Sequence, residues 1–327
     1  MKTRQLSFLL LLLVCGLCTG CVHEYPEDGG ISPTTVNVSL KLSATDPFTA
    51  VTRAADGDKV YIHYVVEVYK NEFEGAPVVR KEVTVEKNAV GTSQAVINLP
   101  LHAARYKVVA WASAVPNADG TGGLFATDNL KAIRLEGAYM GNTRRKECYD
   151  GRMDIDLSGA IANGKTTLSQ TLTTPMAGVE VVSTDLKDLA QVRLDMLKQQ
   201  QLPNGWWKDY SIGWTYDMYF PTEYNALIGQ PVKVATGVGF KSNIYPLNTG
   251  EASLGYDFMF VNGQTANQYF TLTLYGANGA TLNTYEGINA PLERGKLTVM
   301  RGKFLTKNHS SGTGIDPGFD GNINIDR

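Results

Sequence analysis

Four histidines and four cysteines are the side chains of this 327-residue chain best suited to soft-metal ligation or nucleophilic attack, and their spacing argues against both. His23, His63, His102 and His309 are scattered, and none has a Cys, Asp or Glu at ligand spacing on its own predicted element, so no zinc site or facial triad is spelled out and the expectation is no metal. No phosphate-cradling glycine loop, Ser nucleophile elbow or paired-His zinc helix occurs. Asp56–Asp58 and the DPGFDG at Asp316 read as plain turns, because neither continues into a calcium-ligand series. Nothing points to a carboxylate pair for glycoside hydrolysis. Cys148, in RRKECYDG, has no histidine near it and reads as a half-buried structural thiol. The basic stretch NTRRKE at Asn142 reads as a solvated turn that an arginine-specific protease could cut. One local cluster suggests binding chemistry: Trp206, Trp207 and Tyr210 could form an aromatic platform for a sugar, although aromatics beside a helix end more commonly pack inward. The expectation from these residues is a protein without catalytic residues or cofactors.

The N-terminal elements supply a different chemistry. Lys2 and Arg4 precede an apolar run from Leu6 to Leu17, followed by Thr19, Gly20 and Cys21. The run is shorter than the ~20 apolar residues that a spanning helix needs. A basic start, a short apolar stretch and small residues are the layout of a signal peptide, residues 1–20, cleaved between Gly20 and Cys21. The Thr-Gly-Cys pattern resembles the lipobox of bacterial lipoproteins, although the Leu usual three places before the cysteine is here Cys18, with Leu17 one further back. The resemblance implies lipidation of Cys21 by acyl chains such as palmitate, up to three of them, and several chains anchor stably where one does so only marginally. Cys15 and Cys18 would leave with the leader, so Cys148 has no intramolecular partner and the mature chain is held by burial without a disulfide. Residues 21–34 form a polar tether rich in Gly and Pro. Its acidic residues resemble the surface-export signal of Bacteroidetes lipoproteins and equally suit an ordinary solvated linker.

Behind the tether, alternation of apolar and polar residues dominates, the period of half-buried strands. Val36, Val38, Leu40 and Leu42 share one face of the first strand. Val60, Ile62, Tyr64, Val66 and Val68 share one face of the next, and ARYKVVAWASAV carries Trp111 into a core strand. NLKAIRLEG and MDIDLSG are shorter candidates. Helical spacing of Leu186, Leu189, Ala190, Leu194 and Leu197 predicts one helix, with Thr184 as its cap and its apolar stripe laid on a sheet. Strands then resume through SIGWTYDMYF, PVKVATGVGF, ASLGYDFMFV, QYFTLTLYG and GKLTVMRGKFLT. The expected fold is mainly β: two tandem antiparallel β-sandwich domains, residues 35–175 and 176–306, with one helix near the start of the second and a Gly-rich tail at 307–327, either flexible or a last strand. Thirty Lys and Arg against 32 Asp and Glu leave no electrostatic footprint for nucleic acid.

Several stretches together resemble the fimbrial-anchor (FimB-like) lipoproteins of the Bacteroidales, relatives of the fimbrillins: CVHEYPEDGG behind the lipobox, KVYIHYVVEVYK, RYKVVAWA, EVVSTDL with its helix, FPTEYNALIGQP, APLERGKLTVMRGKFLT and GIDPGFDGNINI. The resemblance spans nearly the whole chain. It implies transthyretin-like sandwiches exported to the outer-membrane surface, with a fimbrial subunit protein as partner, bound by strand exchange at an open sheet edge. It also gives VTRAAD the form of a protease site at Arg53, expected in an anchor to remain an intact loop. The alternative is a surface glycan-binding lipoprotein of a polysaccharide-uptake system, using Trp206, Trp207 and Tyr210.

Overall fold

Strand-forming alternation in the sequence becomes twenty strands and one α-helix among the described residues of the computed structural model, which are 35–48, 60–88, 91–161, 163–306 and the backbone of 322–325. The first half contributes β1 (Thr35–Thr45), β2 (Tyr61–Lys70), β3 (Val79–Glu86), β4 (Thr92–His102), β5 (Arg105–Val115), β6 (Phe125–Ala126), β7 (Ile133–Leu135), β8 (Cys148–Asp156) and β9 (Lys165–Leu172). β10 (Met176–Ser183) and α1 (Leu186–Leu197) follow. The rest is β11 (Ser211–Tyr216), β12 (Phe220–Asn225), β13 (Gln230–Ala235), β14 (Gly239–Asn243), β15 (Tyr245–Pro246), β16 (Ala252–Phe260), β17 (Thr265–Tyr275), β18 (Thr281–Glu293), β19 (Leu297–Gly302) and β20 (Asn322–Ile325).

Each half builds a sandwich in the same way. In the first, the sheet β4-β1-β9 faces the sheet β3-β2-β5-β8. In the second, β15-β16-β10-β19-β20 faces β14-β11-β17-β18. The first strand of each half pairs in parallel with a late strand, β1 with β9 and β10 with β19, and every other pairing is antiparallel. The fold is therefore mainly β, as the alternation predicts. β1 follows that pattern closely: Val36, Val38, Leu40, Leu42 and Ala44 are buried while the residues between them are half-buried or exposed. These side chains meet Ile62, Tyr64, Val66 and Val68 from β2 in the first core. Ala177, Val179 and Val181 of β10 meet Trp214, Phe270 and Leu272 in the second.

Three departures have physical causes. From Tyr64 to Tyr69 both faces of β2 are buried, because Val65 and Tyr69 belong to a third core that the second half completes. The helix begins one residue later than expected, with Asp185 at its N-cap position in place of Thr184. The Asp185 carboxylate does not cap the helix; it accepts hydrogen bonds from Leu305 N and Thr306 N at 3.2 and 2.9 Å and so fastens the end of the second sandwich. Third, only the first part of the helical stripe is covered: Leu186 and Leu189 are buried, while Leu197 joins Val192 and Met196 in facing solvent. No helix among the described residues is long and apolar enough to cross a membrane.

β18 is the longest of the described strands, and its Asn, Gly and Pro hide it from a reading by alternation. It lies at a sheet edge, where Pro291 removes no needed hydrogen bond. A register shift between Phe270 and Leu272 of β17 absorbs one extra residue of β18 near Gly287, whose φ is 67°.

Candidate functional site

Between the two sandwiches lies the third core, and the strands that frame it come from both halves. β6 and β7 of the first half pair with β12 and β13 of the second in one four-stranded sheet, joined where Glu223 opposes Arg134 and Tyr224 opposes Ile133. Trp111, on the outward face of β5, is fully buried here. Its ring centroid is 5.5 Å from Phe125, 5.9 Å from Tyr224 and 6.4 Å from Phe260. Tyr224 and Phe260 stack at 4.9 Å. The expectation that Trp111 is a core residue holds, but the core it fills is this shared one.

Two buried carboxylates tie the seam. Asp150, on β8, accepts from Arg294 Nη2 at 2.8 Å, Arg152 Nη1 at 2.7 Å and the Tyr224 hydroxyl at 2.7 Å. Arg294 also reaches Thr174 O at 3.0 Å. Burial, and then the charge of Asp150, push the Tyr224 hydroxyl well above its ordinary range, so it stays a donor. Asp257, on β16, is the second. It accepts from Lys146 Nζ at 2.5 Å, from Tyr139 and Tyr216 hydroxyls at 2.5 Å each, and from Phe258 N at 2.8 Å.

Residues 139–147 carry the first half's side of the Asp257 site, and their conformation follows from short polar residues. Asn142 adopts φ 60°, a left-handed conformation that Asn tolerates. Its side chain and backbone grip β16, with Asn142 N donating to Tyr256 O at 2.8 Å and Tyr256 N donating to Asn142 Oδ1 at 3.0 Å. Thr143 then caps a single 3₁₀ turn, Arg144–Lys146, by accepting from Arg145 N at 3.2 Å. The turn sends its three basic side chains to three places: Arg144 to Asp46 and Phe48 O, Arg145 to Gly122 O, and Lys146 to Asp257. The solvated basic loop expected from NTRRKE is thus corrected: each cation has a structural partner, and Lys146 and Glu147 are buried. A lone sequence signal was available, since an Asp inside the apolar run LGYDFMF has to be paired if the strand is buried.

Gly141 is needed for this approach. A Cβ there would sit 2.3 Å from ring atoms of Phe240. Gly141→Ala is therefore expected to destabilise the protein by about 1–3 kcal/mol through overpacking, measured by urea unfolding. Gly141→Ala together with Phe240→Leu should recover part of the loss, and equal losses in the single and double variants would show that the ring is not the obstacle.

Other residues singled out in the sequence are placed as follows. Gly20, Cys21 and Arg53, with the Asp56 and Asp316 turns, lie outside the described residues. Tyr210 is buried in the second core, and half-buried Trp206 and Trp207 pack against it. The Trp206 ring stands nearly perpendicular to Trp207 and to Tyr210, at 78° and 87°. Arg193 lies over the Tyr210 ring at 5.4 Å and pairs with Asp209. Cys148 is free, and it is fully buried where a half-buried thiol was expected. Burial pushes its thiol well above the ordinary range, which removes it as a nucleophile. No group of three metal-ligating side chains occurs among the described residues.

A further edge closes the second sandwich. β20 pairs with the outer side of β19 through four residue pairs, Thr298 with Ile325 through Arg301 with Asn322. The C-terminal segment thus supplies the last strand of that sheet.

Comparison with known proteins identifies a family. A profile of the family of unknown function DUF6562 matches residues 29–326. The chain belongs to the DUF6562 family. No curated protein matches this DUF6562 chain. Solved structures similar to it include a candidate cell adhesion protein from Bacteroides eggerthii, 15% identical over 91% of this chain and 96% of that one, with a TM-score of 0.44. Candidate polysaccharide binding proteins from Bacteroides thetaiotaomicron match at 12% identity over 83% and 92%, TM-score 0.43. A fimbrial assembly protein from Parabacteroides distasonis matches at 12% over 84% and 94%, TM-score 0.39. These are likenesses in outline only.

Proposed function

We propose that this DUF6562 protein is a cell-surface lipoprotein that serves as a structural, anchoring or accessory subunit of fimbriae, held in the outer membrane through Cys21 and joined to a fimbrial subunit by strand exchange. The observation that carries the reading is the edge of the second sandwich, where a terminal strand held by four residue pairs completes the sheet. A backbone edge closed by so short a segment can be offered to another chain, which is the physical basis of β-augmentation. The leader and Cys21 support the anchoring half of the reading, and the buried seam supports a body able to transmit load without a disulfide.

Cys21→Ala tests the anchor. The variant is expected to leave the membrane fraction and to lose the fimbrial subunit that co-purifies with the wild type from membranes. Unchanged fractionation on immunoblots, or wild-type membranes that yield no fimbrial subunit, would count against it.

A further inference from the structure

We propose that Lys146 and Asp257 condense to an intramolecular amide, an isopeptide bond that joins the two sandwiches covalently. Both side chains are shut off from solvent, 0% and 1% exposed, and they lie 111 residues apart in sequence. The contacts around them divide the labour of an acyl transfer. Lys146 Nζ sits 2.5 Å from Asp257 Oδ1 and 3.8 Å above the Tyr139 ring, which together hold the nitrogen against the carboxylate. Oδ1 also receives Phe258 N at 2.8 Å. Oδ2 receives two hydroxyls, Tyr139 and Tyr216. One oxygen is thus prepared to carry developing negative charge against a fixed N–H, and the other to depart with protons supplied.

Burial, opposed by the attraction of Asp257, lowers the pKa of Lys146, which favours the neutral amine that a nucleophile must be. Burial and the neighbouring Asp257 raise both tyrosines well above their ordinary range, so they remain O–H donors. A proton moves from the ammonium to the carboxylate, giving an amine and a carboxylic acid. The Nζ lone pair then attacks Cγ, and charge gathers on Oδ1 opposite Phe258 N–H. Nζ gives up a second proton, which ends on Oδ2, where the tyrosine hydroxyls stabilise the departing group. The Cγ–Oδ2 bond breaks, and one water leaves. Ammonium and carboxylate become a secondary amide plus water, with no oxidant or co-reactant. Fixing the partners in a dry site supplies an effective concentration on the order of 10⁵–10⁸ M for the attack. Tyr139 also borders an apolar cleft of about 150 Å³ with Phe220 and Phe258, so the reacting pair lies one side chain from open space.

Full-length protein purified from cells and weighed under denaturing conditions tests this. The wild type is expected to be lighter by one water, and protease mapping should yield a branched peptide joining the stretches that hold Lys146 and Asp257. Separate, unmodified peptides for both residues would overturn the proposal, whether or not water is lost elsewhere in the chain. Lys146→Arg keeps the cation and is expected to abolish the branched peptide. Tyr139→Phe with Tyr216→Phe is expected to slow water loss by on the order of 10²-fold; loss at the wild-type rate would overturn the role given to the hydroxyls.

Discussion

Asp150→Ala is expected to lower the unfolding free energy by about 3 kcal/mol, because it strands groups that only Asp150 neutralises. The carboxylate is 1% exposed and receives Arg294, Arg152 and the Tyr224 hydroxyl together. Without it, Arg294 keeps Thr174 O, the Tyr224 hydroxyl and a distant Gly229 O as neutral acceptors, and its charge has no counter-ion in contact. Tyr224 loses its acceptor in a fully buried position. Removing one partner of a buried pair costs more than the pair itself contributes, since the desolvation of the survivor is left uncompensated. Asp150→Asn retains an acceptor and the volume, so a smaller loss is expected. Equilibrium urea unfolding of the three proteins, with unchanged slope, is the measurement; a loss below about 1 kcal/mol for the alanine variant would reduce this network to an ordinary surface cluster.

Trp111→Ala is expected to cost about 3–5 kcal/mol, the range for truncating a large buried aromatic. The ring contributes contacts to Phe125 of the first half and to Tyr224 and Phe260 of the second, so its loss opens a void in the seam. A cavity here weakens the attachment of one sandwich to the other, besides the local packing. The variant is therefore expected to be cut by a protease between the halves near Thr173–Pro175 faster than the wild type. Equal protection in both proteins, or a cost under about 1.5 kcal/mol, would place the ring outside any cooperative seam.

How far the sequence carries the fold is seen by comparing particular strands. β1 could be read directly, because one of its faces meets the first core and the other meets water. β2 and β10 could be read only in part. Their apolar residues run on both faces, and a period of two cannot say what covers the second one. NLKAIRLEG yielded only the three-residue strand β7, and one of its two partners is β12 of the other half. β18 was missed because its burial depends on β17 alongside it and on Tyr285 and Leu292 reaching the core, while its own composition resembles a loop.

The site divides in the same way. Trp206, Trp207 and Tyr210 were visible because they are adjacent in sequence. Lys146, Asp150, Asp257 and Arg294 were not, since each acquires its role from a partner more than a hundred residues away. NTRRKE carries no mark that distinguishes a solvated turn from a clamp.

By itself the sequence determined the strand-rich class, the one helix among the described residues and a body whose described part holds one unpaired cysteine. Only the tertiary structure decided that the two sandwiches share a core and that buried charges cross between them. The reason is one of range. Local periodicity records which side of a strand faces away from water, and that is settled within a few residues. Which cation meets which carboxylate is settled by how distant strands pack, and neither partner bears a local trace of the other.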